Sequence, residues 1–478
     1  MKKNKLLVIT IAASVFMASC NKYLDVNPDN RMDINTVQKV GQLVASAYPV
    51  YNYYAFTEAA SDNSEDKGLS VGSSNMLLSM YYAWEDYPDG GLNSSDNYWN
   101  GCYEAIAVAN HALEAIDQSD FGPDVLPYKG EALVARAYAH HMLTMFFAKR
   151  YVNGGDNSSP GIPYLTKPEK TLMPKYSRGT VQADYDSIEQ DLEAGMKLLN
   201  ANSSDHPKFH FTPSSAHAFA ARFYLFKGEW QKVIDNVGQI VPTTNFTSYL
   251  RPINSTWLLL VSIALPLDFA NQARNCNLLV ANTQSSYYSI YLQPRFGFGP
   301  RLSGLYEVNV TGKRVRNYIS QYTPGNFCTY KWLQIGSNAG LQSVLFTVDE
   351  ALLNRAEAYA HLGQYDLALN DLNTFYSVRL SPYSAATDAV TLDKIKAFFG
   401  ISDPQEGVLT AILTAKKTEF MSEGIRWMDI VRTGMTVNKN LFDADGNEST
   451  ITLGPDDPRR QFQLPVSTLT AGLEPNPR

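Results

Sequence analysis

The chain has 478 residues, a hydrophobic fraction of 45% and a formal net charge of −7. This hydrophobic content is typical of a globular protein and excludes a disordered or collagen-like chain. Only 18% of the residues are charged and the pI is about 5.6, so the chain lacks the electrostatic footprint of a nucleic-acid-binding protein. The 29 tyrosines favour a surface that meets neutral polar ligands, because a tyrosine ring has a rigid apolar face and a polar tip.

The first twenty residues have the plan of a bacterial export signal. Three lysines precede an apolar run over 6–17, which is too short to span a bilayer that needs about 20 residues. The run is followed by Ala18-Ser19-Cys20, which resembles the lipobox of bacterial lipoproteins, where the cysteine becomes the acylated N-terminus. We therefore predict a signal peptide over 1–19 and lipid attachment at Cys20. The alternative is an ordinary secretory signal with a chance cysteine.

Helical periodicity covers most of the remaining chain. Apolar residues recur at i, i+3, i+4 and i+7 in the segments 96–117, 125–149, 180–200, 213–241, 347–375 and 408–433. Two of these segments share the pattern Ala-x2-Tyr-x3-Gly-x-aromatic, from Ala221 to Trp230 and from Ala356 to Tyr365. The alanine lets a second helix approach, the glycine ends the first helix and the aromatic ring packs in the turn. This pattern resembles the tetratricopeptide helix pair.

Long irregular stretches separate the helical segments, at 61–95, 154–178, 243–346 and 377–407. Loops of this length are uncommon unless they are functional. Strand-like pieces such as 328–335 are expected to form small hairpins within them. Because no linker divides the chain, we predict a single domain over 20–478. Its expected fold is dominated by α-helices, as tetratricopeptide-like helical pairs with long irregular loop insertions and small β-hairpins.

Motifs for catalysis or metal binding are weak. Residues 68–72 (GLSVG) match the nucleophile elbow of hydrolases by letter, but solvated loop residues precede them instead of a buried strand. His206 and His210 have the helical spacing of zinc ligands, but Pro207 favours an extended chain. The acidic segment 443–448 (DADGNE) is more typical of a solvated turn than of a calcium loop, which remains the alternative. We therefore predict no catalytic residue, no metal ligand and no cofactor.

Paired carboxylates are the remaining enzymatic possibility. Glu419 and Glu423 share one helical face, where a glycosidase could use them. Arg426, Asp429 and Arg432 follow at intervals of three. A helix stabilises its own exposed or half-buried face with such alternating charges. We therefore interpret the five charges as an ion-pair scaffold and keep catalysis as the alternative.

Two aromatic clusters lie in loops that are rich in Gly, Asn and Ser. The apolar face of a sugar ring can stack on such side chains while polar neighbours bind its hydroxyl groups. Packing in the core is the alternative for each ring. The predicted ligand-binding residues are Tyr82, Trp84, Tyr87, Tyr287, Tyr288, Tyr291 and, as an outlier in the next strand-like piece, Trp332.

Three segments of the chain resemble the SusD/RagB-like nutrient-binding lipoproteins of Bacteroidetes. They are 20–28 (CNKYLDVNP), 349–373 (DEALLNRAEAYAHLGQYDLALNDLN) and 417–434 (KTEFMSEGIRWMDIVRTG), of which the last is the most specific. The resemblance runs from end to end and implies a C-terminal RagB/SusD portion over about 280–478. The shared motifs of the family are scaffold, and its ligand residues vary with the nutrient, so none is carried over to this chain.

The resemblance implies binding rather than catalysis. Such proteins look like lids on a SusC-like TonB-dependent transporter of the outer membrane, capturing a nutrient at the cell surface and passing it inward. We therefore expect a lipid-anchored outer-membrane protein that binds an oligosaccharide, is not an enzyme, and has no nucleic-acid partner. The alternatives are a peptide-binding member of the family, an inert subunit of the transporter complex, and a glycoside hydrolase.

Overall fold

The computed structural model describes residues 34–478 apart from several short segments, so the predicted signal peptide over 1–19 and Cys20 lie outside the described residues. The segments left out are 73, 172–173, 201–203, 261–263, 287–293, 317–320, 324–325, 329–330, 332–333 and 336–339. Within the described part, none of the helices has both the length and the apolar character needed to cross a membrane.

Helices form most of the regular structure, which confirms the predicted helix-rich fold class. Those of the N-terminal half are α1 Val37–Val44, α2 Tyr54–Ala60, α3 Met76–Tyr82, α4 Ser95–Gln118, α5 Leu126–Phe147, α6 Val181–Met196, α7 Pro213–Lys227 and α8 Trp230–Val237. Those of the C-terminal half are α9 Ala264–Phe269, α10 Pro300–Glu307, α11 Val348–His361, α12 Tyr365–Ser377, α13 Ala385–Asp388, α14 Leu392–Phe399, α15 Pro404–Glu419 and α16 Ile425–Thr433.

The two repeats of the glycine pattern form helix pairs. Gly228 joins α7 to α8 with a φ of 71°, and Gly363 joins α11 to α12 with a φ of 72°. Glycine is favoured at both positions because a side chain is strained in this left-handed region. Helix α11 packs against both α7 and α8. The pairs that the sequence predicted separately therefore pack against each other.

Short antiparallel strands complete the fold, mainly in the insertion between α8 and α11. They are β1 Glu65–Asp66, β2 Asn277–Gln284, β3 Phe296–Gly297, β4 Gln321–Thr323, β5 Asn326–Cys328, β6 Gln334–Ile335, β7 Gly340–Thr347, β8 Val437–Phe442 and β9 Glu448–Leu453. Strand β7 pairs with β2 and β6, β4 with β5, β8 with β9, and β1 with β3. The expected small hairpins are therefore present.

The acidic segment 443–448 connects the two strands of the β8–β9 hairpin. The Asp443 carboxylate accepts hydrogen bonds from the backbone N–H groups of Asp445 and Asn447, both at 2.9 Å. Gly446 supplies the positive φ, at 87°. The predicted solvated Asp-Gly turn is confirmed, because the carboxylate is used by its own turn.

The helix predicted over 408–433 is interrupted, which corrects the sequence-based expectation. Helix α15 ends at Glu419 and α16 begins at Ile425, with Ser422 and Gly424 at φ values of 64° and 74° between them. A Cβ atom on Gly424 would lie 2.7 Å from the hydroxyl oxygen of Thr57 in α2. The close approach of α2 therefore requires glycine at this turn, and the two carboxylates Glu419 and Glu423 do not belong to one continuous helix.

The C-terminal segment packs into the N-terminal helices. The ring of Phe462 lies edge-on to Phe56 of α2 with centroids 4.9 Å apart, and the Phe462 backbone N–H donates to the Phe146 carbonyl at 2.9 Å. Phe56 and Phe146 are themselves in edge-to-face contact at 5.5 Å, a favoured arrangement for aromatic pairs. This packing places the last residues of the chain beside α4 and α5.

Candidate functional site

The first aromatic cluster is largely part of the core. Tyr82 is fully buried, and its hydroxyl group donates to the Asn440 carbonyl at 2.5 Å and accepts from the Asp66 backbone N–H at 3.0 Å. Trp84 is only 5% exposed, and its indole N–H donates to the Ala60 carbonyl at 2.9 Å. Neither ring has a face open to a ligand, which corrects the expectation of an exposed pair. We therefore do not place Tyr82 or Trp84 on a ligand-binding surface.

The two buried rings instead enclose a lysine. The Nζ atom of Lys439 lies 4.2 Å from the Tyr82 ring centroid and 4.5 Å from that of Trp84. It donates to the carbonyl groups of Ala59 and Ala60, at 2.9 and 3.0 Å. Burial lowers the pKa of Lys439 well below its usual range. The aromatic pair thus supports a structural lysine from strand β8.

Tyr87 is the half-buried member of the first cluster. Its ring lies 5.8 Å from that of Tyr81 and lines a shallow cleft of about 20 Å³. The ion pair between Asp86 and Arg478, at 2.6 Å, also lines this cleft. Burial and the neighbouring Asp86 raise the pKa of Asp96 in the same cleft to about 6. Tyr87 stays a predicted ligand contact with an accessible edge.

The flanks of the two aromatic clusters are joined by direct hydrogen bonds. The Asn93 side-chain amide donates to the Ser286 hydroxyl at 2.6 Å, and the Ser285 hydroxyl donates to the Asn93 side-chain carbonyl at 2.7 Å. Asn93 is buried and takes a positive φ of 73°, a conformation that asparagine tolerates better than most residues. Residue 286, which directly precedes the predicted second cluster in the sequence, is therefore held beside the segment that carries Tyr87.

The insertion has a second attachment at Arg295, after the predicted second aromatic cluster in the sequence. Arg295 makes a bidentate ion pair with Asp66, with both N–O distances at 2.6 Å. Strand β1, which contains Asp66, pairs with β3 directly after Arg295, and the buried Tyr82 hydroxyl holds the Asp66 backbone. We name the residues 85–93, 284–286 and 294–297 the anchored rim. It brings together chain segments that are about two hundred residues apart in the sequence.

The remaining predicted ligand residues, Tyr287, Tyr288, Tyr291 and Trp332, lie outside the described residues. They stay predictions. Asn93, Ser285 and Arg295 were not predicted as functional residues, although their side chains position the rim. A short polar side chain beside a glycine-rich turn, as at Asn93 after Gly90 and Gly91, is the available signal for a residue with a positive φ.

The candidate catalytic carboxylates, Glu419 and Glu423, form buried ion pairs. Arg251 contacts Glu419 at 2.9 Å and Glu423 at 2.8 Å. Arg379 contacts Glu419 at 2.9 Å and also pairs with Asp349 of α11. All five side chains are less than 5% exposed. Burial alone would raise the pKa of Glu419, but Arg379 and Arg251 outweigh it and lower the pKa to about 2.

The other three charges of the predicted ladder are also paired, but largely outside their own helix. Arg426 binds Asp62 at 2.7 Å, and Arg432 binds Glu357 of α11 at 2.6 Å. Only the contact between Arg432 and Asp429, at 2.6 Å, has the i,i+3 spacing expected from the sequence. The ion-pair interpretation is supported, while its expected exposure is wrong: the ladder is buried and ties α16 to distant segments.

Glu58 is a buried carboxylate beside the turn between α15 and α16. It accepts from the Gly424 backbone N–H at 2.7 Å and from the Asn63 side-chain amide at 3.1 Å. Burial raises its pKa to about 7, although these hydrogen bonds oppose the shift. Among the described residues, the side-chain oxygen of Asn63 has no hydrogen-bond partner. If the Asn63 amide turned over, it could accept a hydrogen bond from a neutral group at position 58.

We expect Glu58→Gln to reduce the pH dependence of stability. The raised pKa means that the folded protein holds a proton that the unfolded chain releases above about pH 4.5, so Glu58 costs stability as the pH rises from about 4.5 to 7. Between pH 5 and pH 8, the free energy of unfolding of the variant should therefore rise by about 1–3 kcal/mol relative to that of the wild type. Urea unfolding at both pH values measures this gain, and Glu307→Gln, at an exposed site, is the control. An unchanged difference at the two pH values would contradict the raised pKa.

Of the two histidines with the spacing of zinc ligands, His210 has a structural partner. His210 Nδ1 lies 2.8 Å from the Glu131 carboxylate, and His206 precedes a short 3-10 turn over Pro207–Phe209. His140 and His141 are fully buried, and burial lowers the pKa of each to about 3. In the part of the chain that the structure describes, no group of three potential ligands converges on one point.

A separate apolar cleft lies against the outer face of α4 and has a volume of about 290 Å³. Trp99 and Tyr103 contribute their rings from α4, and Tyr176 contributes a third ring. The sequence placed Trp99 and Tyr103 on a helix but assigned them no role. Their spacing of four residues, which puts them on one helical face, is the signal that could have identified the cleft.

Two family models match the chain on either side of the insertion. The first, described as starch-binding and associated with the outer membrane, matches residues 22–225. The second, the SusD family model, matches residues 307–468. The second match contains the α11–α12 pair and the charges from Glu419 to Arg432, whereas the first ends within α7. Most of the insertion that carries the predicted second aromatic cluster lies between the two matches.

Known proteins resemble the chain over nearly its whole length. The SusD-like protein P38 of Formosa agariphila is 23% identical, over 91% of this chain and 93% of that protein. The crystal structure of a SusD superfamily protein from Bacteroides vulgatus has a TM-score of 0.68 at 17% identity and covers 93% of this chain and 99% of its own. The structure of a laminarin-binding SusD-like protein has a TM-score of 0.63 at 16% identity, with coverages of 93% and 99%. With both family models matched, this chain belongs to the SusD/RagB family.

Proposed function

We propose that the protein captures a glycan at the anchored rim and passes it to a SusC-like TonB-dependent transporter of the outer membrane. The observation that carries this proposal is the pair of hydrogen bonds from Asn93 to Ser285 and Ser286. These bonds hold Ser286, the residue before the predicted second aromatic cluster in the sequence, beside the segment that contains Tyr87, and this supports a shared binding surface. Two sets of rings on neighbouring segments are suited to stacking on successive sugar units.

The chain connection limits how far Tyr87 can lie from Ser286. Asn93 lies six positions after Tyr87, which is at most about 22 Å of extended chain. Asn93 contacts Ser286, and residue 287 follows directly. One extended oligosaccharide can bridge such a distance. The laminarin-binding relative, which shares the fold, supports a glycan as the ligand.

Capture without turnover is the second part of the proposal. The carboxylates Glu419 and Glu423, which the sequence offered as a catalytic pair, already bind Arg251 in the buried interior. A glycosidase acid must be able to reach the scissile bond, and these groups have no such access. Lipid attachment at Cys20 and delivery to the transporter complete the proposal. They are supported by the lipobox-like sequence and by the outer-membrane description of the matched family.

The substitution Tyr87→Ala tests whether the anchored rim binds the glycan. The mature chain would be run through affinity gels that contain laminarin, starch, other polysaccharides or mixed peptides, and the eluate would be examined for shortened products. For the glycan that retards the wild type, we expect about 10–30-fold weaker binding by the variant, because a stacked ring at the centre of a binding site contributes about 2 kcal/mol.

Tyr383→Ala is the matched control, since Tyr383 is also half-buried but lies outside the rim, between α12 and α13. Equal retention of both variants would contradict the rim as the binding site. Retention by peptide gels alone would favour the peptide-binding alternative, and shortened glycans in the eluate would overturn capture without turnover.

A further inference from the structure

The apolar cleft on α4 is distinct from the anchored rim and shares none of its residues. It is enclosed by the Trp99, Tyr103 and Ile106 face of α4, by the segment 163–169 and by the 3-10 turn near Ser467. Its volume of about 290 Å³ is at the lower end of the range for small-molecule sites, about 300–1,000 Å³. The cleft therefore has the size for one small ligand and not for a chain of sugars.

The polar groups inside the cleft are already occupied. The Asn110 amide donates to the carbonyl groups of Leu165 and Lys167 at 3.1 and 3.3 Å, and its oxygen accepts from Arg136 at 2.8 Å. The Tyr103 hydroxyl donates to the Pro163 carbonyl at 2.9 Å. A sugar carries a hydroxyl group on almost every carbon, and each one buried without a partner costs free energy. The inner part of the cleft therefore suits an apolar group.

Two side chains of opposite charge, Lys167 and Glu169, lie at the mouth of the cleft. Lys167 is exposed and forms no ion pair with any residue that the structure describes. Glu169, two residues later, uses Oε1 to accept the backbone N–H groups of Lys170 and Thr171 and the Thr171 hydroxyl. Its Oε2 accepts the Tyr176 hydroxyl at 2.6 Å and can accept a second hydrogen bond. Hydrogen bonds from Tyr176 and Thr171 lower the pKa of Glu169 to about 2, so that it carries its charge at neutral pH.

We infer that this cleft binds a free amino acid with a large apolar side chain. The side chain would lie among the rings of Trp99, Tyr103 and Tyr176, the ligand carboxylate would meet the Lys167 ammonium, and the ligand ammonium would meet Glu169. A zwitterion is the ligand class that satisfies both charges at once. This inference is independent of glycan capture at the rim, because the two sites share no residue.

The test titrates L-phenylalanine into the mature chain and follows binding by calorimetry and by ligand-observed NMR. Saturable binding is expected, with 3-phenylpropionate and phenethylamine each binding more weakly because each lacks one of the two charges. Lys167→Gln should weaken phenylalanine binding about three- to fivefold, the size expected of one solvent-exposed ion pair. It should leave phenethylamine binding unchanged.

Ala107→Trp provides the steric test. Ala107 is exposed on α4 and lines the cleft, so the added ring should fill it and weaken phenylalanine binding at least tenfold while glycan retention stays as in the wild type. Ala194→Trp, at an exposed position of α6 outside the cleft, is the matched control. Absence of phenylalanine binding to the wild type, equal binding by Ala107→Trp, or displacement of phenylalanine by glucose would each overturn the inference.

Discussion

Glu423→Gln is expected to lower the free energy of unfolding by about 3–5 kcal/mol, the cost of breaking a buried ion pair on one side. Glu423 receives Arg251 at 2.8 Å and Lys331 at 2.8 Å, and both cations are fully buried. An amide would remove the carboxylate that faces both buried cations, of which Arg251 would keep its pair with Glu419. The loss should appear as a lower urea midpoint with an unchanged slope.

The control for this variant is Glu307→Gln. Glu307 pairs with Arg314 at 3.0 Å, but both side chains are more than half exposed, so the same chemical change should cost less than about 1 kcal/mol. If Glu423→Gln were as stable as the wild type while an activity on glycans disappeared, the buried-scaffold interpretation would be wrong and a catalytic role would return.

Trp84→Ala is expected to cost about 3–5 kcal/mol of stability, as for other large aromatic side chains truncated in a core. The substitution removes a nearly buried ring, the hydrogen bond to the Ala60 carbonyl and one of the two rings around Lys439. A scanning calorimetric melt should therefore show a lower Tm for Trp84→Ala, and any loss of glycan retention should follow the unfolded fraction.

Tyr87→Ala separates stability from binding in the same cluster. Its half-buried ring packs less completely, so truncation should cost less stability than at Trp84 while weakening glycan retention more directly. A Trp84→Ala protein with the melting temperature of the wild type and no retention would return Trp84 to the binding surface. That result would restore the interpretation based on the sequence alone.

The helix pairs could be predicted because their signal is local. Gly228 and Gly363 each end a helix in the left-handed region, and the apolar spacing around them repeats in both halves of the chain. By contrast, the break at Gly424 depends on contact with Thr57 of α2. A contact between residues this far apart leaves no trace in the local spacing of Glu419, Glu423 and Arg426.

The candidate site could be predicted only in part, because residue type does not determine burial. Tyr82 and Trp84 have the composition of a sugar platform, yet they enclose Lys439, which lies more than three hundred residues later in the sequence. Similarly, the spacing of charges suggested contacts along one helix, whereas Arg432 donates two hydrogen bonds to Asp429 of its own helix and two to Glu357 of α11. The sequence therefore shows the chemical type of each residue but does not show which distant residue it contacts.

The anchored rim fixes the insertion at two points, one before and one after residues 287–293 in the sequence. The segment between Ser286 and Arg295 is attached through Asn93 at one end and through Asp66 at the other, and neither attachment uses the buried charges that stabilise the helical body. If the proposed glycan capture at the rim holds, we expect substitutions between these two attachments to change which nutrient is recognised more than they change stability. We likewise expect that residues 287–293 can be exchanged between relatives to alter the ligand range.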